Sequence, residues 1–177
     1  MSIAAKKVLV PLTVLLAAGA LAVGSGATFS SETSNTISTV TSGTLLHTNS
    51  KNGAQIFNLT NLKPGDTLTG AVKITNTGSL PATFSLTETS STNAFTGSNL
   101  KLAIKDVTNG KTIFDGTFGG LVDGTKTDLG QIGAGAAVDY SFTVTLAQET
   151  TNDDQNKTAT ATYTWNSVQL AGETFAQ

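Results

Sequence analysis

Val138-Asp139-Tyr140-Ser141-Phe142-Thr143-Val144-Thr145-Leu146 is the stretch that decides the fold class. Apolar side chains at 138, 140, 142, 144 and 146 alternate with polar ones at 139, 141, 143 and 145. That is the period of a β-strand with one dry face and one wet face. A second stretch repeats the pattern. Ala159, Ala161, Tyr163 and Trp165 alternate there with Thr158, Thr160, Thr162 and Thr164.

Working back toward the N-terminus, the same alternation recurs. Leu68, Val72 and Ile74 oppose Thr69, Lys73 and Thr75, and Ala82, Phe84 and Leu86 oppose Thr83, Ser85 and Thr87. Leu100, Leu102 and Ile104 oppose Lys101, Ala103 and Lys105. Asn109-Gly110 is a strong hairpin signal that joins this last segment to a strand over Thr112 to Phe118. Thr44 to Thr48, Gln55 to Leu62 and Thr127 to Ile132 read as further short strands, and the Ser/Thr-rich run after Thr87, up to Gly97, reads as a loop. Lys63-Pro64-Gly65-Asp66 is a turn: Pro64 fixes φ and Gly65 tolerates the positive φ that follows. Eight or nine strands with no amphipathic helical segment predict an all-β, antiparallel two-sheet β-sandwich.

Composition bounds the chemistry. The chain has 177 residues with 10 Lys+Arg, all of them Lys, against 12 Asp+Glu, for a net charge of −2. Thr is its most frequent residue, and it has a single His and no Cys. This length fits one domain. About 150 residues can bury roughly two-thirds of their unfolded surface, so no staple is required. An acidic chain without Arg lacks the basic stripe that nucleic-acid binding needs. Cys/His zinc clusters have no ligands here, and a nucleophilic Ser or Cys site would rest on His47 alone. The expectation is a chain that is not an enzyme, with no catalytic residue, cofactor or metal.

Residues 1–27 read as an export signal. Lys6 and Lys7 form the positive region, Val8 to Val23 is uncharged and apolar, and small residues follow. The apolar run is shorter than the roughly 20 residues of a spanning helix, and Pro11 interrupts it. Ser25 and Ala27 suit the −3 and −1 positions for cleavage after Ala27, while Ala18-Gly19-Ala20 offers an earlier site. Removing the leader leaves 8 bases against 12 acids. Residues 28–41 are polar and β-prone, with only Phe29, Ile37 and Val40 apolar, and read as an extended N-terminal arm ahead of a sandwich over 42–177.

The order of these pieces resembles the TasA/camelysin family of exported biofilm-matrix and surface-fibre proteins. The resemblance rests on the Lys-led leader before Phe29, on Ser42-Gly43-Thr44-Leu45, on Asn61-Leu62-Lys63-Pro64-Gly65-Asp66, on Asn76-Thr77-Gly78-Ser79-Leu80, and on Ala161 to Trp165. It implies a jelly-roll sandwich, export through a dedicated signal peptidase, and extracellular homopolymeric fibres. In those fibres the arm of one subunit completes the sheet of the next by donor-strand exchange. Whether an accessory initiating protein takes part is left open. The large middle insertions and charged tail of longer members are missing.

An unpaired sheet edge can accept an extended segment, and because donor and acceptor surfaces differ, such contacts propagate. Thr28 to Thr39 is the expected donor, with Thr28 and Thr39 at its ends and Phe29 and Ile37 as its anchors. A monomeric adhesion module that binds through its loops is the alternative, and a camelysin-like metallopeptidase is the weaker one. A zinc peptidase needs three protein ligands and a base, and His47 has no second His beside it.

Glu149, Asp153 and Asp154 share a loop that could offer oxygens to Ca²⁺ but lacks EF-hand spacing. Asn58 and Asn156 match the glycosylation acceptor pattern, as expected by chance in so Thr-rich a chain. Gly133-Ala134-Gly135 has no helix after it and reads as a turn.

Overall fold

The structure is a computed structural model that describes residues 42–56 and 62–173. The leader, the arm, Asn58 and most of the strand expected over Gln55 to Leu62 lie outside the described residues. Gly43–Gln177 forms one compact unit. Its strands are β1 (His47–Asn49), β2 (Thr67–Asn76), β3 (Ala82–Asn93), β4 (Leu100–Asp106), β5 (Lys111–Thr117), β6 (Lys126–Ile132), β7 (Ala137–Leu146) and β8 (Ala159–Gln169). They make two antiparallel sheets, one ordered β1-β2-β7-β4-β5 and the other β6-β3-β8. The expected two-sheet sandwich is therefore the observed one.

β7 is the centre of the larger sheet. It pairs along its length with β2 on one side and β4 on the other. Its inward residues Val138, Tyr140, Phe142, Val144 and Leu146 are all buried. They meet Val72 and Ile74 from β2, Leu100, Leu102 and Ile104 from β4, and Ala82, Phe84 and Leu86 from β3 in one core. The outward face is held by hydroxyl pairs, Thr67–Thr145 at 3.0 Å and Thr69–Thr143 at 3.1 Å, and by Lys73 Nζ to Asp139. That ion pair is half exposed, so it adds little stability.

The turns that carry the family resemblance have structural reasons. Gly65 adopts φ +88°, and its N–H donates to the Leu146 carbonyl at 2.8 Å, while Asp66 Oδ2 caps the Lys63 N–H at 2.9 Å. Asn76 is fully buried and uses its whole amide. Its Nδ2 donates to the Leu80 and Ile132 carbonyls, and its Oδ1 accepts from the Gly78 N–H. A Cβ on Gly78 would collide with the Thr44 carbonyl, so Gly43-Thr44-Leu45-Leu46 can lie against the turn only if residue 78 is glycine. Thr44 N–H to Ser79 Oγ at 2.8 Å and Ser79 N–H to Thr44 O at 3.1 Å then join the two segments.

Three local expectations change. The run after Thr87 is not a loop: β3 continues to Asn93 through an irregularity between Glu88 and Ser90, pairing with β8 as far as Asn93–Ala159. The bulge absorbs the break in alternation, and Thr92 Oγ1 meets Thr160 Oγ1 at 2.8 Å. Gln55 and Ile56 are not in a strand. The first strand begins at His47, because the backbone of Thr44 and Leu46 is taken by residues 77–79.

Phe142 has ring contacts with Tyr163 (5.3 Å) and Trp165 (6.3 Å) and no exposure. Phe142→Ala is expected to cost about 3–5 kcal/mol in urea unfolding, whereas Thr67→Ala on the wet face should stay within about 0.5 kcal/mol.

Candidate functional site: a groove between the sheets

β8 carries the same alternation as β7, yet the two are buried differently. The inward residues of β7 are buried, whereas Ala159, Ala161, Tyr163 and Trp165 of β8 are only half buried. The missing cover is a groove of about 1150 Å³ between β8 and the β1–β2 side of the larger sheet. Val72, Leu100, Leu146 and Phe118 line it from the core, and Ile56, Leu62 and Phe95 from the loops.

Its two ends are fixed by polar contacts at opposite ends of β8. At one end His47 Nδ1 and Ser167 Oγ are 2.9 Å apart, and the imidazole stands edge-on to Phe84 at 5.6 Å. At the other, Asp154 sits in the short helical turn before β8. Its Oδ1 accepts from the N–H and Oγ1 of Thr96 at 2.8 and 2.9 Å, and its Oδ2 accepts from Asn99 Nδ2 at 2.6 Å. The Asn99 bond, assisted by Thr96 and Lys157 and opposed by burial, holds the Asp154 carboxyl below its ordinary range.

The edges of the sheets differ in how they are defended. β5 carries Lys111 and Asp115, and β6 carries Lys126, Asp128 and a bulge between Phe84/Ser85 of its partner. Both devices discourage pairing with another chain. β8, Ala159–Gln169, has no charge and no proline over 11 residues. Among the described residues it pairs only with β3.

The sequence-predicted positions are distributed as follows. Thr28, Phe29, Ile37 and Thr39, the expected donor residues, lie outside the described residues. His47 is brought to the groove rim. Both oxygens of Asp154 are taken by protein donors and Asp153 accepts from Thr151 Oγ1 at 3.2 Å, so this loop is a structural latch. Asn156 is exposed beside the groove with φ +60°. Gly133-Ala134-Gly135 is the β6–β7 turn, tied by Gly135 N–H to the Asn76 carbonyl.

The chain matches the camelysin metallo-endopeptidase family over residues 5–99, more than half of its length. It belongs to the TasA/camelysin family. No curated protein matches it. The family description corrects one expectation: a metallo-endopeptidase family points to peptidase activity, where composition had suggested that the chain is not an enzyme. Composition misled because it counts ligand types, and a family's chemistry need not follow the commonest ligand set.

The described residues do not, however, fit a His-based zinc centre. No three His, Cys, Asp or Glu side chains come together among them. The one imidazole is spent on Ser167 and Phe84.

Asp154 generates a pH prediction. A carboxyl held below its ordinary value of 3.8 contributes stability above that value and loses it as pH falls through the lower folded value. Asp154→Asn turns an amide N–H₂ toward existing donors. It should unfold at lower urea than the parent at pH 7, and the gap should close in acid, read as urea midpoints from pH 7 to pH 2.

Proposed function

We propose that this chain is an exported subunit of cell-surface or matrix fibres, and that it assembles by strand addition. The arm, residues 28–41, of one copy would lie in the groove and pair with the free edge of β8 in another. The observation that carries the reading is the edge of β8, neutral and with no partner but β3 among the described residues, beside a half-covered apolar face. Backbone groups along that edge supply affinity, and alternate side chains of the donor supply register. Between Ala159 and Ser167 an extended donor of about nine residues spans roughly 30 Å, within reach of the twelve from Thr28 to Thr39. The small side chains of Ala159 and Ala161 leave room for large donor residues such as Phe29 and Ile37. Membership of the TasA/camelysin family agrees with an exported protein of this kind.

Negative-stain microscopy and sedimentation would compare the chain beginning at Thr28 with one beginning at Ser42. Fibres are expected from the first and monomers from the second. Ala161→Trp in the longer chain fills the groove and should leave it monomeric with an unchanged circular dichroism spectrum. Fibres from the chain beginning at Ser42 would remove the arm as donor. Monomers from every variant at all concentrations would sink the reading.

The family description favours a second activity, proteolysis. Incubation of the purified chain with a denatured protein substrate is then expected to give cleavage that a chelator abolishes. Absence of cleavage with and without added Zn²⁺ would dispose of it.

A further inference from the structure

Glu88 stands where the pattern calls for a hydrophobe. It follows Ala82, Phe84 and Leu86 on the inward face of β3 and is 1% exposed. Its register partner on β8 is Tyr163, on the same face. The irregularity just after Glu88 turns Ser91 inward, where its Oγ lies 3.5 Å from the Gly119 carbonyl. The segment from Gly119 to Thr125 then folds over this end of β3. The Gly124 N–H donates to the Glu88 carbonyl at 2.8 Å, within a turn closed by Thr125 N–H to Val122 O. That turn brings Asp123, itself exposed, against the Glu88 carboxyl.

The cluster is incomplete as it stands. Neither Glu88 carboxyl oxygen has a hydrogen-bond partner, and the Tyr163 hydroxyl has none either. No cation compensates: the one ion pair among the described residues joins Lys73 to Asp139 on the outer face of the other sheet. Burial, and then Asp123, push the Glu88 carboxyl above its ordinary range, while the hydroxyls of Ser91 and Tyr163, close by but outside hydrogen-bond geometry, act the other way. Two neighbouring carboxyls without a basic partner either share a proton or hold a metal ion.

The donors favour the ion. The side chains that meet Glu88 here, Asp123, Ser91 and Tyr163, all offer oxygen, the preference of a hard cation. The irregular arrangement, half strand and half turn, suits Ca²⁺, which accepts variable geometry, better than Mg²⁺, which demands a near-ideal octahedron. Asp123 stands on the solvent side, which gives the ion an entry path and room for water ligands. The acidic loop at Asp153 and Asp154 lacks such seats, because its buried carboxylate is already saturated by protein donors.

We propose that Glu88 and Asp123 form a Ca²⁺ site completed by the oxygens of Ser91 and Tyr163 and by water. The bound ion ties the Gly119–Thr125 turn to the β3–β8 pair. With two carboxylates its affinity falls near the weak end of natural calcium sites, about 10⁻⁴–10⁻³ M, which suits an extracellular module.

The test uses the full folded chain and Tb³⁺, whose luminescence is sensitised by an adjacent phenol, here Tyr163. The expected result is a saturable Tb³⁺ signal that CaCl₂ displaces and MgCl₂ displaces poorly. The melting temperature should rise by about 4 °C at roughly 10 mM CaCl₂. Glu88→Gln and Asp123→Asn should each weaken Tb³⁺ binding by about tenfold or more. Asp123→Asn alters an exposed side chain, so it remains informative if Glu88→Gln fails to fold. Any of three outcomes would overturn the proposal: no saturable signal, a signal that survives Asp123→Asn, or a melting temperature that CaCl₂ does not move. The last, together with an Asp123→Asn variant more stable than the parent in chelator, would identify a proton shared by the two carboxyls instead.

Discussion

The packing of three strands against five governs the rest of this molecule. Neighbouring strands lie about 4.8 Å apart, so among the described residues two extra strands leave roughly 10 Å of the larger sheet without a facing strand. The centre of the stack closes fully: β7, flanked by β2 and β4, buries every inward residue. At its β1–β2 margin the larger sheet still presents apolar side chains, and β8 across from it presents Tyr163 and Trp165, and among the described residues the groove separates them. The His47–Ser167 contact and the Asp154 latch brace the two ends without filling the middle.

The wet faces reuse one device. Cross-strand threonines offer β-branched stiffness and a hydroxyl partner at once, as at Thr67–Thr145, Thr69–Thr143 and Thr92–Thr160. A chain that is 12% charged keeps its surface polar largely through such residues. It needs no disulfide, and with no Cys it can have none.

The elements that the sequence made legible are those whose local pattern and tertiary setting agree. β2 and β7 were readable from alternation alone, and Asn109-Gly110 marked the β4–β5 hairpin. The second half of β3 was not readable, because Ser90 to Asn93 is polar on both faces and the bulge after Glu88 shifts the phase. Nor was the groove: Ala159 to Trp165 looks in sequence like Val138 to Leu146, and only the number of strands opposite decides that one set is sealed and the other open. Glu88 carried a usable signal, an acid in phase with Ala82, Phe84 and Leu86. A turn 35 residues downstream, which brings up Asp123, gave no hint of its meeting. The expectation of no enzymatic activity runs against the family description, which a count of ligand types could not anticipate.

The bare edge of β8 also sets a limit on handling. Edges bearing lysine, proline or bulges stay apart from each other at high concentration, and β8 has none of these. Under the strand-addition assembly proposed above, a solution of isolated subunits would be supersaturated in that sense. Its lifetime depends on how often an extended segment from any source meets the edge, so it shortens as concentration rises. A free peptide of suitable pattern, added in excess, is then a preservative: it caps the edge and prolongs the monomer's shelf life.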